Sequence, residues 1–435
     1  MSDLRKTTQF LLPVEKETVP GYDIYPTHDL GAGKIHSCYL SLAKRISEYK
    51  NIIIDGYIGV RFDIFIKELG KAFTELGIKP IWWNAAAAMK PSAEIDTLIE
   101  PFLGGDDPIF GFRASLKIDD FFDTEKLSRI KPDETADINI IYGIGASLAG
   151  WSGLLVYLDI PKNEIQFRAR AAQITNLGAE SPDAPKKMYK RFYFIDWVVL
   201  NRYKKALLPK MDVIVDAQRD CEITWAEGQD IRAGLKNMSE NAFRVRPWFE
   251  PGAWGGQWIK KHIKSLAQDV PNYAWSFELI VPENGIIFNS GKKMLEVSFD
   301  SVMYENGENV VGKECYDKYG DEFPIRMDYL DNFDGGNLSI QCHPHKDYIQ
   351  KNFGEVLTQE ETYYILDCCP NAQVYLGFND DIVPEEFEKA LSDSFEHGTP
   401  LDVQKYINSE TAHKHDLFLI PPGTLHSSGR NNLVL

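Results

Sequence analysis

The apolar pattern of the chain changes texture once, and that change divides it. Residues 51–59 form a β-branched run closed by glycines, Asn51-Ile52-Ile53-Ile54-Asp55-Gly56-Tyr57-Ile58-Gly59, which predicts a buried strand and a tight turn. Phe65, Leu69, Phe73 and Leu76 then recur at helical spacing, with Gly77 as a stop. Further continuous apolar runs at Ile81-Trp82-Trp83, Ile138 to Gly143, Leu154 to Asp159 and Met211 to Asp216 alternate with helical stretches at 163–172 and 198–207. Continuous rather than alternating strand runs, separated by helices, predict a mostly parallel sheet covered on both faces. Beyond about residue 240 the runs shorten and turn residues multiply. Phe277 to Val281, the turn Pro282-Glu283-Asn284-Gly285, Ile286-Ile287-Phe288, Leu338 to His343, Thr362 to Leu366 and Leu417 to Ile420 read as strands of an antiparallel sandwich or small barrel. One helical insertion starts at Pro384, which suits a first helical turn, and runs to about Tyr406. The expected fold is therefore multidomain, α/β plus all-β, with domains at residues 1–230 and 240–435.

Composition narrows this reading rather than altering it. At 435 residues the chain exceeds what a single core usually organises. A formal charge of −17 argues against a phosphate-backbone binder, so nucleic acid is not an expected partner. The most apolar stretch, about residues 148–160, is too short to span a bilayer, and the N-terminus lacks the apolar core of a secretory leader. Six scattered cysteines with no CxxC pair read as reduced thiols, and a cytoplasmic location is expected. Adjacent Cys368 and Cys369 point to opposite strand faces.

The candidate chemistry lies in the second half. In Leu338-Ser339-Ile340-Gln341-Cys342-His343-Pro344-His345, period-two alternation puts Gln341 and His343 on one strand face, and Pro344 ends the ladder. Glu361 opens the next apolar run, and Pro421-Pro422-Gly423-Thr424-Leu425 leads to His426. Two imidazoles, a carboxylate and an amide oxygen on facing strands would suit zinc or a similar divalent ion with a position left open. His345, His413 and His415 are weaker candidates, since Pro344 breaks the alternation before the first and the other two precede a strand in a loop.

Two resemblances extend this reading. The Gly56–Gly59 turn, Asp119-Asp120-Phe121-Phe122 and Tyr157 to Pro161 followed by Arg168 and Arg170 resemble P-loop kinases of the uridine-kinase and phosphoribulokinase kind. That resemblance implies a doubly wound P-loop-like domain. A working loop reads G-x-x-x-x-G-K-[ST], whereas here Val60-Arg61-Phe62-Asp63 follows Gly59, so the nucleotide loop is degenerate. The second resemblance is more specific. Trp254-Gly255-Gly256, Ser276-Phe277-Glu278, Leu338 to Pro344, Glu361 to Leu366 and Pro421 to His426 occur in the order and spacing of type I mannose-6-phosphate isomerases, which are zinc-dependent cupins. It covers about residues 245–435 and resembles the short bacterial form most closely.

The resemblance implies a cupin-type fold, one zinc or similar divalent ion held by Gln341, His343, Glu361 and His426, and a small sugar phosphate as substrate. The implied activity is metal-dependent interconversion of mannose 6-phosphate and fructose 6-phosphate. The sequence assigns no catalytic acid/base. Three departures accompany it. Gln359 and Asp328 stand where the family carries lysines, with Arg326 expected to share the strand face of Asp328 and bind substrate in their stead. The chain also stops in an apparent strand, Leu433-Val434-Leu435, before an arginine the family carries, so a truncated cupin is expected. A non-catalytic cupin that keeps its metal and binds or senses a sugar or sugar phosphate is the alternative, and kinase activity in the first domain is disfavoured by Phe62 at the lysine position.

Overall fold

A computed structural model describes residues 9–17, 19–280 and 283–435. The chain forms two compact units, residues 1–247 with 279–326, and residues 248–278 with 327–435.

The first unit is built on a seven-stranded sheet. Its spatial order is His36–Ser37, Thr224–Glu227, Val213–Asp216, Leu154–Asp159, Asn51–Gly56, Asn139–Tyr142 and Ile81–Asn84. The last five strands are mutually parallel, Thr224–Glu227 runs antiparallel to them, and His36–Ser37 pairs antiparallel with Thr224–Glu227. The apolar runs form these central strands because both of their faces are covered. Ile52, Ile54, Ile140, Val156, Leu158, Val213 and Val215 share one core with Leu69 and Phe73 of the helix Phe62–Glu75.

The strand, glycine turn and helix predicted at residues 51–76 are present, but the turn is packed with protein. A Cβ at Gly59, where φ is +93°, would stand 2.9 Å from Ile165 Cγ1, and one at Gly56 would stand 2.8 Å from the Leu158 carbonyl oxygen. Ile165 belongs to the helix Lys162–Arg170, which lies buried over the turn except at its last residue. Arg168, buried, donates to the carbonyls of Gly59, Ala217 and Gln218. Arg61 is ion-paired with Asp220. The glycines therefore serve close packing, and the resemblance to P-loop kinases goes no further than the order of elements.

Leu279 to Arg326, expected inside the second domain, instead packs with the first unit. The physical reason is polar. Strands of an open α/β sheet end in carboxylates or loops that need partners, and here the strand Lys293–Ser298 supplies them. Ser298 N–H donates to Asp159 at 2.9 Å and Glu296 N–H to Asp216 at 3.1 Å. Lys204 donates to both Asp159 carboxylate oxygens at 2.8 Å, and buried Lys162 pairs with Asp300. The hairpin Gly285–Ser290 and Lys293–Ser298 is completed by Thr27–Asp29 as a small separate sheet.

The second unit is an antiparallel sandwich. One sheet has the order Leu417–Ile420, Glu361–Cys368, Asn432–Val434, Met327–Asp331, Trp275–Leu279 and Trp248–Glu250. The other is Ile407–Thr411, Gln373–Phe378 and His426–Ser428. Leu330, Tyr363, Ile365 and Val434 of the first sheet share a core with Val374 of the second. The helical insertion is present as Pro384–His397, followed by the short turn Val403–Tyr406. Pro384 occupies its first turn and Gly398 ends it in the left-handed region. Leu338 to His343 is not a regular strand. It touches its neighbour through Leu338 N–H to Ser428 O and a single bridge between Gln341 and His426, so the ladder is too sparse to count as one.

Candidate metal centre

Three of the four predicted ligands converge from separate parts of the second unit. Glu361 begins its strand, His426 begins the strand His426–Ser428, and His343 follows the irregular segment. The His343 Nε2 lies 2.8 Å and the His426 Nε2 2.9 Å from Glu361 Oε2. One ligand atom from each residue lies within 4.8 Å of the others. The two imidazole centroids are 5.0 Å apart.

Local backbone explains the convergence. Gln341 and His426 exchange both main-chain hydrogen bonds, at 3.0 and 2.9 Å, which fixes their side chains on neighbouring positions. Gly423 N–H donates to the His343 carbonyl at 2.8 Å, tying the Pro421–Thr424 turn to the histidine segment. A Cβ at Gly423, where φ is +87°, would meet the His345 ring at 2.5 Å, so a glycine is required there.

His426 is fully buried, and its Nδ1 lies 2.9 Å from the Thr424 carbonyl oxygen. Nδ1 must donate to that carbonyl, which leaves Nε2 as the nitrogen that faces Glu361 and the site interior, hydrogen-bonding to the carboxylate when protonated and able to ligate an ion when the ring is neutral. The Gln341 side-chain amide approaches the same Nε2 at 3.3 Å. Burial opposes ionisation of Glu361, but the two imidazoles outweigh it and hold the carboxyl down at about 2. Burial likewise works against an imidazolium at His426, and Glu361 with the Thr424 carbonyl outweighs it, leaving His426 above its ordinary value.

These residues fit a divalent metal. Two imidazole nitrogens and a carboxylate oxygen converge, one imidazole has its tautomer fixed from behind, and an amide stands beside them. A further sign is an orphan. The buried Tyr363 hydroxyl lies beside the Gln341 amide and the charges of Glu361 and Asp328, yet it makes no hydrogen bond of acceptable geometry. A buried hydroxyl without a partner among polar groups suits water or a ligand group.

Tyr363 and Asp328 are members of this site that spacing alone did not supply. Leu330 and Ile365, on flanking strands, both pair with Val434, and all three are buried. Two residues back on each strand, Asp328 and Tyr363 share that interior face, with Glu361 two further on. Burial, reinforced by the Glu361 charge, pushes the Asp328 carboxyl up to about 7. Alternation along Glu361–Cys368 could have flagged Tyr363, because it puts the hydroxyl on the face of a proposed ligand.

Other expected residues lie elsewhere. Arg326 belongs to the first unit, is exposed, and donates to the Phe323 carbonyl at 3.0 Å. The strand begins at Met327, so Arg326 falls outside the alternation that was to place it beside Asp328. Gln359 is exposed. His415 accepts or donates with the Tyr364 hydroxyl at 2.7 Å, and His413 lies 3.2 Å from Asp416.

Comparison with known proteins finds similarity in both parts of the chain. Residues 38–240 match a family described as a domain of unknown function, DUF8485. The chain is 24% identical over 198 residues to mannose-6-phosphate isomerase ManA of Bacillus subtilis (strain 168), covering 46% of this chain and 58% of that protein. The chain thus spans little more than half the length of this relative. The solved mannose 6-phosphate isomerase from Bacillus subtilis is 23% identical over 44% of this chain and 56% of its own, with a TM-score of 0.36. A zinc-bound mannose 6-phosphate isomerase is 11% identical over 44% of this chain and 66% of its own, with a TM-score of 0.32. Under half of the chain is thus distantly similar in sequence to mannose-6-phosphate isomerases. Among the described residues, no helix is long and apolar enough to cross a membrane.

Proposed function

We propose that the second unit is a metal-dependent aldose–ketose isomerase interconverting mannose 6-phosphate and fructose 6-phosphate. The observation that carries this reading is the convergence of His343, Glu361 and His426 within 4.8 Å, beside Gln341. Moving a proton between adjacent carbons develops negative charge on oxygen, and a bound divalent ion supplies electrophilic stabilisation for that charge. Glu361 and the two imidazoles would hold the ion, with Gln341 as a fourth donor. The Thr424 carbonyl keeps His426 in the ligating tautomer. Tyr363 and Asp328 share the strand face of Glu361 and would offer hydrogen bonds to a sugar bound at the ion.

A coupled assay on the zinc-loaded full chain tests the reading. It expects conversion of mannose 6-phosphate or mannose to the corresponding ketose, lost in His343→Ala and not restored to that variant by added zinc. A second reading, a metal-binding cupin that binds or senses a sugar or sugar phosphate without turnover, is favoured by one observation. Asp328, a carboxyl and not a cation, shares the interior strand face of Tyr363 and Glu361. Sugar binding without turnover in the loaded protein would select it.

A further inference from the structure

We infer that the first unit holds a binding site for a small organic anion with an aromatic or aliphatic body. The site is the cavity between the helices Lys162–Arg170 and Pro185–Arg191, and Gln166, Arg170 and Lys186 receive the anionic head. It is independent of the metal centre and of the isomerase reading.

The cavity measures about 360 Å³, within the range of roughly 300–1,000 Å³ that small-molecule pockets occupy. Helical spacing builds its walls. Gln166, Ala169 and Arg170 stand at i, i+3 and i+4 on one face of Lys162–Arg170, whereas Ile165 and Arg168 of the same helix meet Gly59. Pro185 and Tyr189 of the second helix and Phe192 just beyond it recur at i, i+4 and i+7, and Pro108 with Ile109 closes a third side. These walls are braced from behind. The Tyr189 hydroxyl donates to Glu283 Oε1 at 3.1 Å, and the rings of Tyr189 and Phe192 both pack on Trp197, with centroids 5.8 and 5.9 Å away. Lys190 donates to the Asp107 carbonyl, and the N–H groups of Ile109 and Phe110 donate to the Asp107 carboxylate at 2.8 and 2.7 Å, which pins the loop.

Gln166 is the group that asks for a ligand. It lines the cavity, is 9% exposed, and among the described residues its amide makes no hydrogen bond. A buried amide without partners carries a desolvation cost that an entering group can offset by using its N–H donors and its carbonyl. Charge decides the class of that group. Arg170 and Lys186 line the cavity and are exposed, so they stand at its mouth, and among the described residues Lys186 has no hydrogen-bond or ion-pair partner and no carboxylate lines the cavity. The nearby acidic groups are engaged elsewhere: Asp107 holds its own loop, Asp183 accepts from Ala184 N–H at 2.6 Å and lies 3.9 Å from Lys187, and Glu283 accepts from Tyr189. Pro185–Arg191 has only seven residues, and the Phe167, Arg168 and Ala169 carbonyls at the end of the other helix accept from Ala171, Gln173 and Ala172. Side chains rather than helix ends therefore set the positive sign at the mouth. A carboxylate, sulfonate or phosphate monoester suits the amide and the two cations. An aromatic or aliphatic body suits Pro108, Ile109, Ala169, Pro185 and the two rings.

Fluorescence titration of the full chain with 8-anilinonaphthalene-1-sulfonate tests the site. The expected result is a saturable rise with about one probe per chain. Binding should weaken by at least about ten-fold when Arg170→Glu and Lys186→Glu are combined, two changes at exposed positions that leave the core intact. The uncharged N-phenyl-1-naphthylamine should bind that double variant within about two-fold of the wild type, since it carries no charge to repel. Ala169→Trp, which fills the cavity, should abolish binding of both probes with circular dichroism unchanged. Displacement of the sulfonate by 1-naphthoate or by 1-naphthyl phosphate supports the inference, the stronger competitor naming the head group. Absence of saturable binding, equal loss of the charged and uncharged probes in the double variant, binding of the sulfonate unmoved by charge reversal, or binding that survives Ala169→Trp in the folded protein overturns it.

Discussion

His426 shows how much of the site is set by single residues. Its backbone bridges Gln341, its Nδ1 is held by Thr424, and its Nε2 faces Glu361, so one residue joins three of the groups that would surround an ion. Tyr363 is the counterpart that nothing holds. Because a buried hydroxyl without a partner carries a desolvation cost and no compensating bond, Tyr363→Phe is expected to leave the thermal unfolding temperature unchanged or raised by a few degrees. Calorimetric unfolding would check it, and a clear loss of stability would mean that the hydroxyl is satisfied in the folded protein. Asp331 carries a pH dependence. Burial raises its carboxyl to about 6 against the backbone N–H groups of Ile259 and Phe333 that favour ionisation. With the folded value above the unfolded one, the folded state holds its proton longer. Stability from this group is full below about pH 4, falls between about 4 and 6, and is then constant at the lower level. Denaturant unfolding of Asp331→Asn at several pH values should show that decline flattened, by an amount on the order of 3 kcal/mol.

At the scale of elements, sequence pattern was legible where burial imposes it and not where long-range pairing does. The runs at Asn51–Gly56 and Leu154–Asp159 are strands as read, because continuous apolar runs leave few other ways to bury them. Leu338 to His343 alternates like a strand but lacks a neighbour over most of its length, and alternation cannot report that. Gln341 and His343 still reach the site because only one bridge, at Gln341, is needed to aim them. The motif Trp254-Gly255-Gly256 was visible without its reason. Gly256 N–H donates to the Asp331 carbonyl at 2.7 Å, and a Cβ on Gly256 would stand 2.1 Å from Asp331 Oδ1 and 2.6 Å from Phe333 N. Gly256→Ala is therefore expected to destabilise the second unit by roughly 1–3 kcal/mol, or more if the backbone cannot yield. Urea unfolding followed by the tryptophans would measure it, and an unchanged midpoint would contradict the close approach.

For the molecule as a whole, the boundary of the two units was the part least open to sequence reading. Nothing in the texture of Leu279 to Arg326 distinguishes it from the strands that follow. Its assignment depends on where Asp159 and Asp216 find partners, which is a property of the folded sheet. The same contacts fill the strand ends that an open α/β sheet commonly gives to ligands, and Ile165 fills the space over Gly59. ATP is accordingly expected to give no saturable heat of binding with the full chain, and a saturable isotherm weakened by Arg61→Ala would contradict the packed turn. Metal content tests the central claim most directly. After incubation with excess zinc and removal of free ion, elemental analysis of the full chain should find about one zinc per chain, falling below about a tenth of that in His343→Ala and His426→Ala with circular dichroism unchanged. Little zinc in the wild type, or as much in the variants as in the wild type, would contradict a metal centre at His343, Glu361 and His426.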